Sequence, residues 1–108
     1  MPRIPSSGVF KVNMAKKRIE ARISGRVQVV MYRDFAVRRA CSLGVVGEVW
    51  NEDDGTVSLV GEGEEEQLRA FEGELKKGSL LSHVERVDIA RKEATGEFKD
   101  FRIKYEDL

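Results

Sequence analysis

The sequence predicts an α/β (α+β) two-layer sandwich: two helices on one face of a mostly antiparallel sheet, in the order β-α-β-β-α-β with a short fifth strand. Three observations predict it. Apolar residues alternate with charged ones in Arg18-Ile19-Glu20-Ala21-Arg22-Ile23, which is the period of a half-buried strand. Tyr32, Ala36, Ala40 and Leu43 fall on one stripe at helical spacing. A length of 108 residues is that of one domain, since two cores would each bury too little surface.

The elements follow in order. Met1 to Ala15 carries both prolines, two serines and Gly8 without sustained periodicity; it is expected to be a mobile tail, with Met14 as an alternative start. The domain proper is expected over 16–108. The first strand ends at Gly25, and a short loop leads into a helix from Tyr32, closed by Gly44 as its C′ residue. Val45 to Asn51 and Thr56 to Glu62 form the next two strands, joined by the turn Asp53-Asp54-Gly55, where glycine supplies the positive φ a hairpin needs. A second helix runs from about Glu64 to Lys77 with Leu68, Phe71 and Leu75 as its seam. Glutamates at its start and lysines at its end complement the helix dipole, and Gly78 stops it. Val84 to Ala90 and Phe101 to Tyr105 complete the sheet. Two βαβ crossovers in this order give the ferredoxin-like arrangement, a fold with many uses that by itself decides no function.

Composition narrows the class. Lys+Arg and Asp+Glu both count 19, so the chain has no general field to attract nucleic acid or an anionic membrane. No apolar run is long enough to span a membrane, and no apolar stretch behind Arg3 reads as a secretion signal. One cysteine excludes an internal disulfide and one histidine excludes a zinc cluster, so a reducing, cytoplasmic setting without metal or cofactor is expected. His83 reads as a solvated residue or a cap, Cys41 as a small core hydrophobe, Arg38-Arg39 as a solvated face, and the run Glu62 to Glu66 as dipole complement rather than a metal site.

The informative segment is Gly25-Arg26-Val27-Gln28-Val29-Val30-Met31-Tyr32-Arg33. It joins a strand to a helix start, where backbone N–H groups lack helical partners and favour an anion. Arg33, in the first turn, can add a bidentate fork to a phosphate. The plain alternative is a Gly25 turn and a solvated Arg33.

Two spaced motifs carry a resemblance. Ile23 to Arg33 resembles the Gly-x-Val-Gln-Gly-Val-x-Phe-Arg signature of the acylphosphatase family. Gly47-Glu48-Val49-Trp50-Asn51, followed by the Gly55-Thr56-Val57 hairpin, is similar to that family's second signature, and Gly96 to Ile103 to its closing strand. The likeness spans about Lys17 to Tyr105, and two motifs in the right strand-loop-helix context make it specific. It implies hydrolysis of carboxylic-phosphoric mixed anhydrides (acyl phosphates) to carboxylate and phosphate by a cofactor-free monomer. It implies Arg33 as the phosphoryl ligand, the amides of Gln28, Val29, Val30, Met31 and Tyr32 as the cradle, and Asn51 as holder of the attacking water. A small-molecule acyl phosphate is the expected partner, with neither nucleic acid nor membrane. The alternative function is a weak or inactive module of the same fold that binds a phosphate ligand or nucleic acid.

Val29 stands where the family has glycine. A β-branched residue resists positive φ, so the loop either keeps the family's backbone path and stores strain at Val29 or relaxes, and the relaxed loop is expected.

Overall fold

The computed structural model describes residues 15–105. The tail expected over 1–15 lies outside the described residues except for Ala15, as do the last three residues of the domain. The chain runs β1 (Lys16–Arg26), α1 (Tyr32–Leu43), β2 (Val46–Asn51), β3 (Val57–Glu64), α2 (Glu65–Lys77), β4 (His83–Glu93) and β5 (Phe101–Ile103). The five-stranded sheet has the order β4-β1-β3-β2-β5. All neighbours are antiparallel except β2 and β5, which are parallel. Each helix therefore connects two strands that lie either side of a third: β3 separates β1 from β2, and β1 separates β3 from β4. This is the ferredoxin-like α+β sandwich.

The alternation read in β1 sends Ile19, Ala21 and Ile23 to the helix side. There they join Val49, Val57 and Leu59, and meet Tyr32, Ala36 and Ala40 of α1 and Leu68, Phe71 and Leu75 of α2. Phe101 closes this core edge-on to Phe71, with ring centroids 5.7 Å apart. Gly44, with φ 77°, ends α1 in the left-handed turn expected of it. Gln67 caps α2 by accepting the Glu64 N–H at 2.8 Å. Among the described residues no helix is long and apolar enough to cross a membrane.

Several elements differ from their expected bounds. Gly25 does not end β1. The register against β4 shifts between Ser24 and Gly25, and the strand continues to pair Arg26 with His83. Glycine is required in that bulge, because at φ 125° a Cβ would collide with the His83 carbonyl. His83 is thus the exposed first residue of β4. The last strand stops at Ile103, and the two residues beyond it turn to the site described below.

Cys41 is exposed rather than in the core, because Ala36 and Ala40 occupy the buried stripe and Cys41 lies about 100° further round the helix. Arg39 leans toward α2, 3.4 Å from Glu74. Glu62 is no solvated member of an acidic run. It is buried on the helix-free face, where it accepts from the Thr95 and Gly96 amides at 2.9 and 3.0 Å and from Arg18 at 2.9 Å. It thereby clasps the segment after β4 onto the sheet.

Candidate active site

After Val27 and Gln28, both anchored, the loop alternates free and anchored residues to Met31. Val27 is buried and Val30 packs against the core. Between them Gln28 turns inward, donating from Nε2 to the Glu52 and Thr56 carbonyls at 2.8 Å each. Tyr32 is buried and its hydroxyl donates to the Leu75 carbonyl at 2.8 Å; burial pushes its phenol pKa up. The loop is thus fixed on one side to the β2–β3 hairpin and on the other to the end of α2.

The residues between the anchors face solvent. Val29 is 98% exposed and Met31 also projects outward, and both have φ 61°. They are the two non-glycine residues with positive φ among the described residues. The expectation of a relaxed loop at Val29 is therefore overturned. The anchors on either side hold the chain on a left-handed path in spite of the β-branched side chain. The first helical bond of α1 runs from the Phe35 N–H to the Met31 carbonyl at 3.0 Å, which leaves the preceding amides without helical partners. Backbone N–H groups at such a start, with the dipole behind them, suit an oxyanion.

Arg33 lies in the first turn of α1, half-buried, with its guanidinium carbon 5.6 Å from the Tyr105 ring centroid. Among the described residues no carboxylate is within ion-pair distance of it, and its neighbour Asp34 is exposed. Asn51 ends β2 on the side that faces α1, in phase with the buried Val49. Its Oδ1 is buried and has no hydrogen-bond partner among the described residues, an acceptor in need of a donor.

Gln28, Arg33 and Asn51 meet in one cavity of about 490 Å³, whose other walls are Glu52, Asp53, Lys104 and Tyr105. The five loop residues expected to form a cradle divide differently. Gln28 lines the cavity, while Val29, Val30, Met31 and Tyr32 are not among its lining residues. A larger recess of about 660 Å³ lies on the helix-free face around Glu20, Arg22 and Trp50, and contains neither Arg33 nor Asn51. Among the described residues no cluster of three or more His, Cys, Asp or Glu side chains is placed to hold a metal.

Sequence reasoning missed Lys104 and Tyr105. Both continue the alternation that begins at Phe101, and nothing local reveals that this strand pairs in parallel with β2 and delivers its end to Asn51. It also missed the side-chain role of Gln28, because its partners are backbone carbonyls 24 and 28 residues further along.

Comparison with known proteins gives consistent results. The acylphosphatase family model matches residues 19–103. An acylphosphatase of Salinibacter ruber is 42% identical over 89 residues, covering 82% of this chain and 94% of the relative. One of Thermotoga maritima is 43% identical over 89 residues, covering 82% of this chain and 98% of the relative. Among solved structures, the crystal structure of acylphosphatase from Bacillus subtilis superposes with a TM-score of 0.80 at 31% identity, covering 82% of this chain and 99% of that one.

Proposed function

The chain belongs to the acylphosphatase family, and from that premise we propose that it is an acylphosphatase, hydrolysing acyl phosphates to a carboxylate and inorganic phosphate. The observation that carries the reading is the cavity that joins Arg33, Asn51 and Gln28 at the start of α1. Arg33 binds the phosphoryl oxygens as a planar fork, with Glu52 and Asp53 in the same cavity but no carboxylate of the described residues in ion-pair contact with it. The loop amides from Gln28 to Tyr32 supply further donors to those oxygens, and the helix dipole favours their negative charge.

Asn51 holds the attacking water through its unpartnered Oδ1, in line with the bond to be broken. The water oxygen bonds to phosphorus as the bond to the acyl oxygen breaks, and the water's proton passes to a phosphate oxygen. The leaving group is a carboxylate whose acid has a pKa of about 4, so it departs without a general acid. Positioning and charge stabilisation are most of what phosphoryl transfer requires, which is why so few functional groups suffice.

The small acyl phosphate is the only partner this reading needs. A single cysteine supports a cytoplasmic setting, and an even charge balance supports a protein that binds neither nucleic acid nor membrane; the reading takes it as a monomer. The test is to incubate the purified protein with benzoyl phosphate or acetyl phosphate in the presence of a chelator and follow hydrolysis. Turnover above the uncatalysed rate supports the reading. Binding of inorganic phosphate without turnover would favour the non-catalytic module instead.

A further inference from the structure

Arg33 poses a physical problem that the cavity itself answers. A long guanidinium side chain with no carboxylate within ion-pair distance among the described residues samples many rotamers, and that freedom must be given up each time phosphate binds. A carboxylate would hold it, but would also compete with the phosphate for the same fork. An aromatic ring holds a guanidinium by its face and leaves every N–H free.

We propose that Tyr105 is a positioning residue for Arg33: its ring holds the guanidinium aimed into the cavity without occupying its donors. The proposal rests on Arg33 being the phosphate ligand and adds the group that orients it. Three observations place Tyr105 there. Its ring centroid lies 5.6 Å from the guanidinium carbon, within cation–π range. It lines the same cavity as Arg33 and Asn51. The segment that carries it is fixed: Ile103 pairs with Val49, and the Lys104 N–H donates to the Val49 carbonyl at 2.9 Å.

Continuing that parallel register sets Lys104 beside Trp50 and Tyr105 beside Asn51. The side chains agree with it. Lys104 Nζ sits 5.2 Å from the Trp50 ring centroid on the helix-free face, so Tyr105, next along the chain, falls on the face of Asn51 and α1. Tyr105 is 69% exposed and also borders a second recess beside Asp34, Val37 and Arg38, so it adds little to the core.

The experiment compares Tyr105→Leu, Tyr105→Phe and Arg33→Ala, alone and combined, by calorimetric titration of inorganic phosphate and by acyl phosphate hydrolysis. Tyr105→Leu should weaken phosphate binding and lower kcat/KM by about 3- to 10-fold with an unchanged thermal midpoint. Tyr105→Phe, which keeps the ring, should restore both. In the Arg33→Ala background, Tyr105→Leu should have no further effect. A Tyr105→Leu protein that binds phosphate like the parent, while Arg33→Ala does not bind it, would overturn the positioning role alone. An Arg33→Ala protein that keeps full affinity and activity would overturn the functional reading beneath it. A loss on Tyr105→Leu that persists undiminished without Arg33 would show that the ring acts on something else.

Discussion

The side-chain amide of Gln28 donates to the Thr56 carbonyl at 2.8 Å, tying the loop before α1 to the hairpin that follows Asn51. The same Nε2 reaches the Glu52 carbonyl at 2.8 Å, so one amide spans both ends of the β2–β3 turn. The two halves of the site come from segments distant in sequence, and this contact sets their relative position. Gln28→Ala should cost about 1 kcal/mol of stability and lower hydrolysis by roughly tenfold. Gln28→Glu should be worse, because a carboxylate has no donor for two carbonyls and faces them with its own charge. Urea denaturation and steady-state kinetics on the two variants check this; equal behaviour of Ala and Glu would contradict the bonding pattern.

Arg33 and Asn51 should separate kinetically. Arg33→Ala removes a charge that binds phosphate in the ground state and steadies it in the transition state, so phosphate inhibition and turnover should both fall. The expected loss is on the order of 10²-fold in rate, about 3 kcal/mol. Arg33→Lys should not rescue it, since a point charge replaces a planar fork. Asn51→Ala should lower kcat with little change in phosphate affinity, because it orients water rather than substrate. Rates within a few-fold of the parent for both variants would refute the assignment.

Glu62 gives the fold a dependence on pH away from the site. Burial works against its charged form, but the Thr95 and Gly96 amides and the Arg18 guanidinium outweigh that and hold its pKa below the ordinary 4.5. A carboxyl with a depressed folded pKa stabilises the protein above its unfolded pKa, and that contribution fades as pH falls through the folded value. Glu62→Gln should therefore cost about 1–3 kcal/mol at pH 7. The gap between parent and variant in urea denaturation should narrow below pH 4. A gap that stays constant down to pH 3 would mean the charge is not what holds the clasp.

The limits of the sequence reading follow the same division between local and distant causes. The strand alternation, the α1 stripe from Tyr32 to Ala40 and the α2 seam of Leu68, Phe71 and Leu75 are local patterns, and the structure places these residues in the core. The Gly25 bulge depends on where β4 lies against β1, so β1 extends past the glycine that reads as its end. Glu62 belongs to an acidic run in sequence, and only the segment at Thr95 and Gly96 turns it into a buried clasp. In the site, the motif around Arg33 is legible because its parts are consecutive. Tyr105 is not, because a parallel pairing between strands about fifty residues apart brings it in.

Val29 is the sharpest case of tertiary structure overriding local preference. At φ 61° and 98% exposure it carries left-handed strain and makes up none of it by packing. Such a conformation costs on the order of 1–3 kcal/mol in a β-branched residue, and the anchors at Gln28, Val30 and Tyr32 impose it. Val29→Gly removes the strain but gives the unfolded chain more freedom, an opposing effect of roughly 0.5–1 kcal/mol. The strain is the larger, so the variant should be more stable by about 0.5–2 kcal/mol. A loop already relaxed at Val29 would show the reverse sign. Hydrolysis should stay within about threefold of the parent, because the left-handed path, and with it the direction of the loop amides, already exists with valine in place. Thermal or urea denaturation and hydrolysis of one acyl phosphate read both effects on one pair of proteins. A destabilised Val29→Gly with sharply higher turnover would show that valine holds the loop amides away from phosphate, and that glycine is what lets them turn toward it.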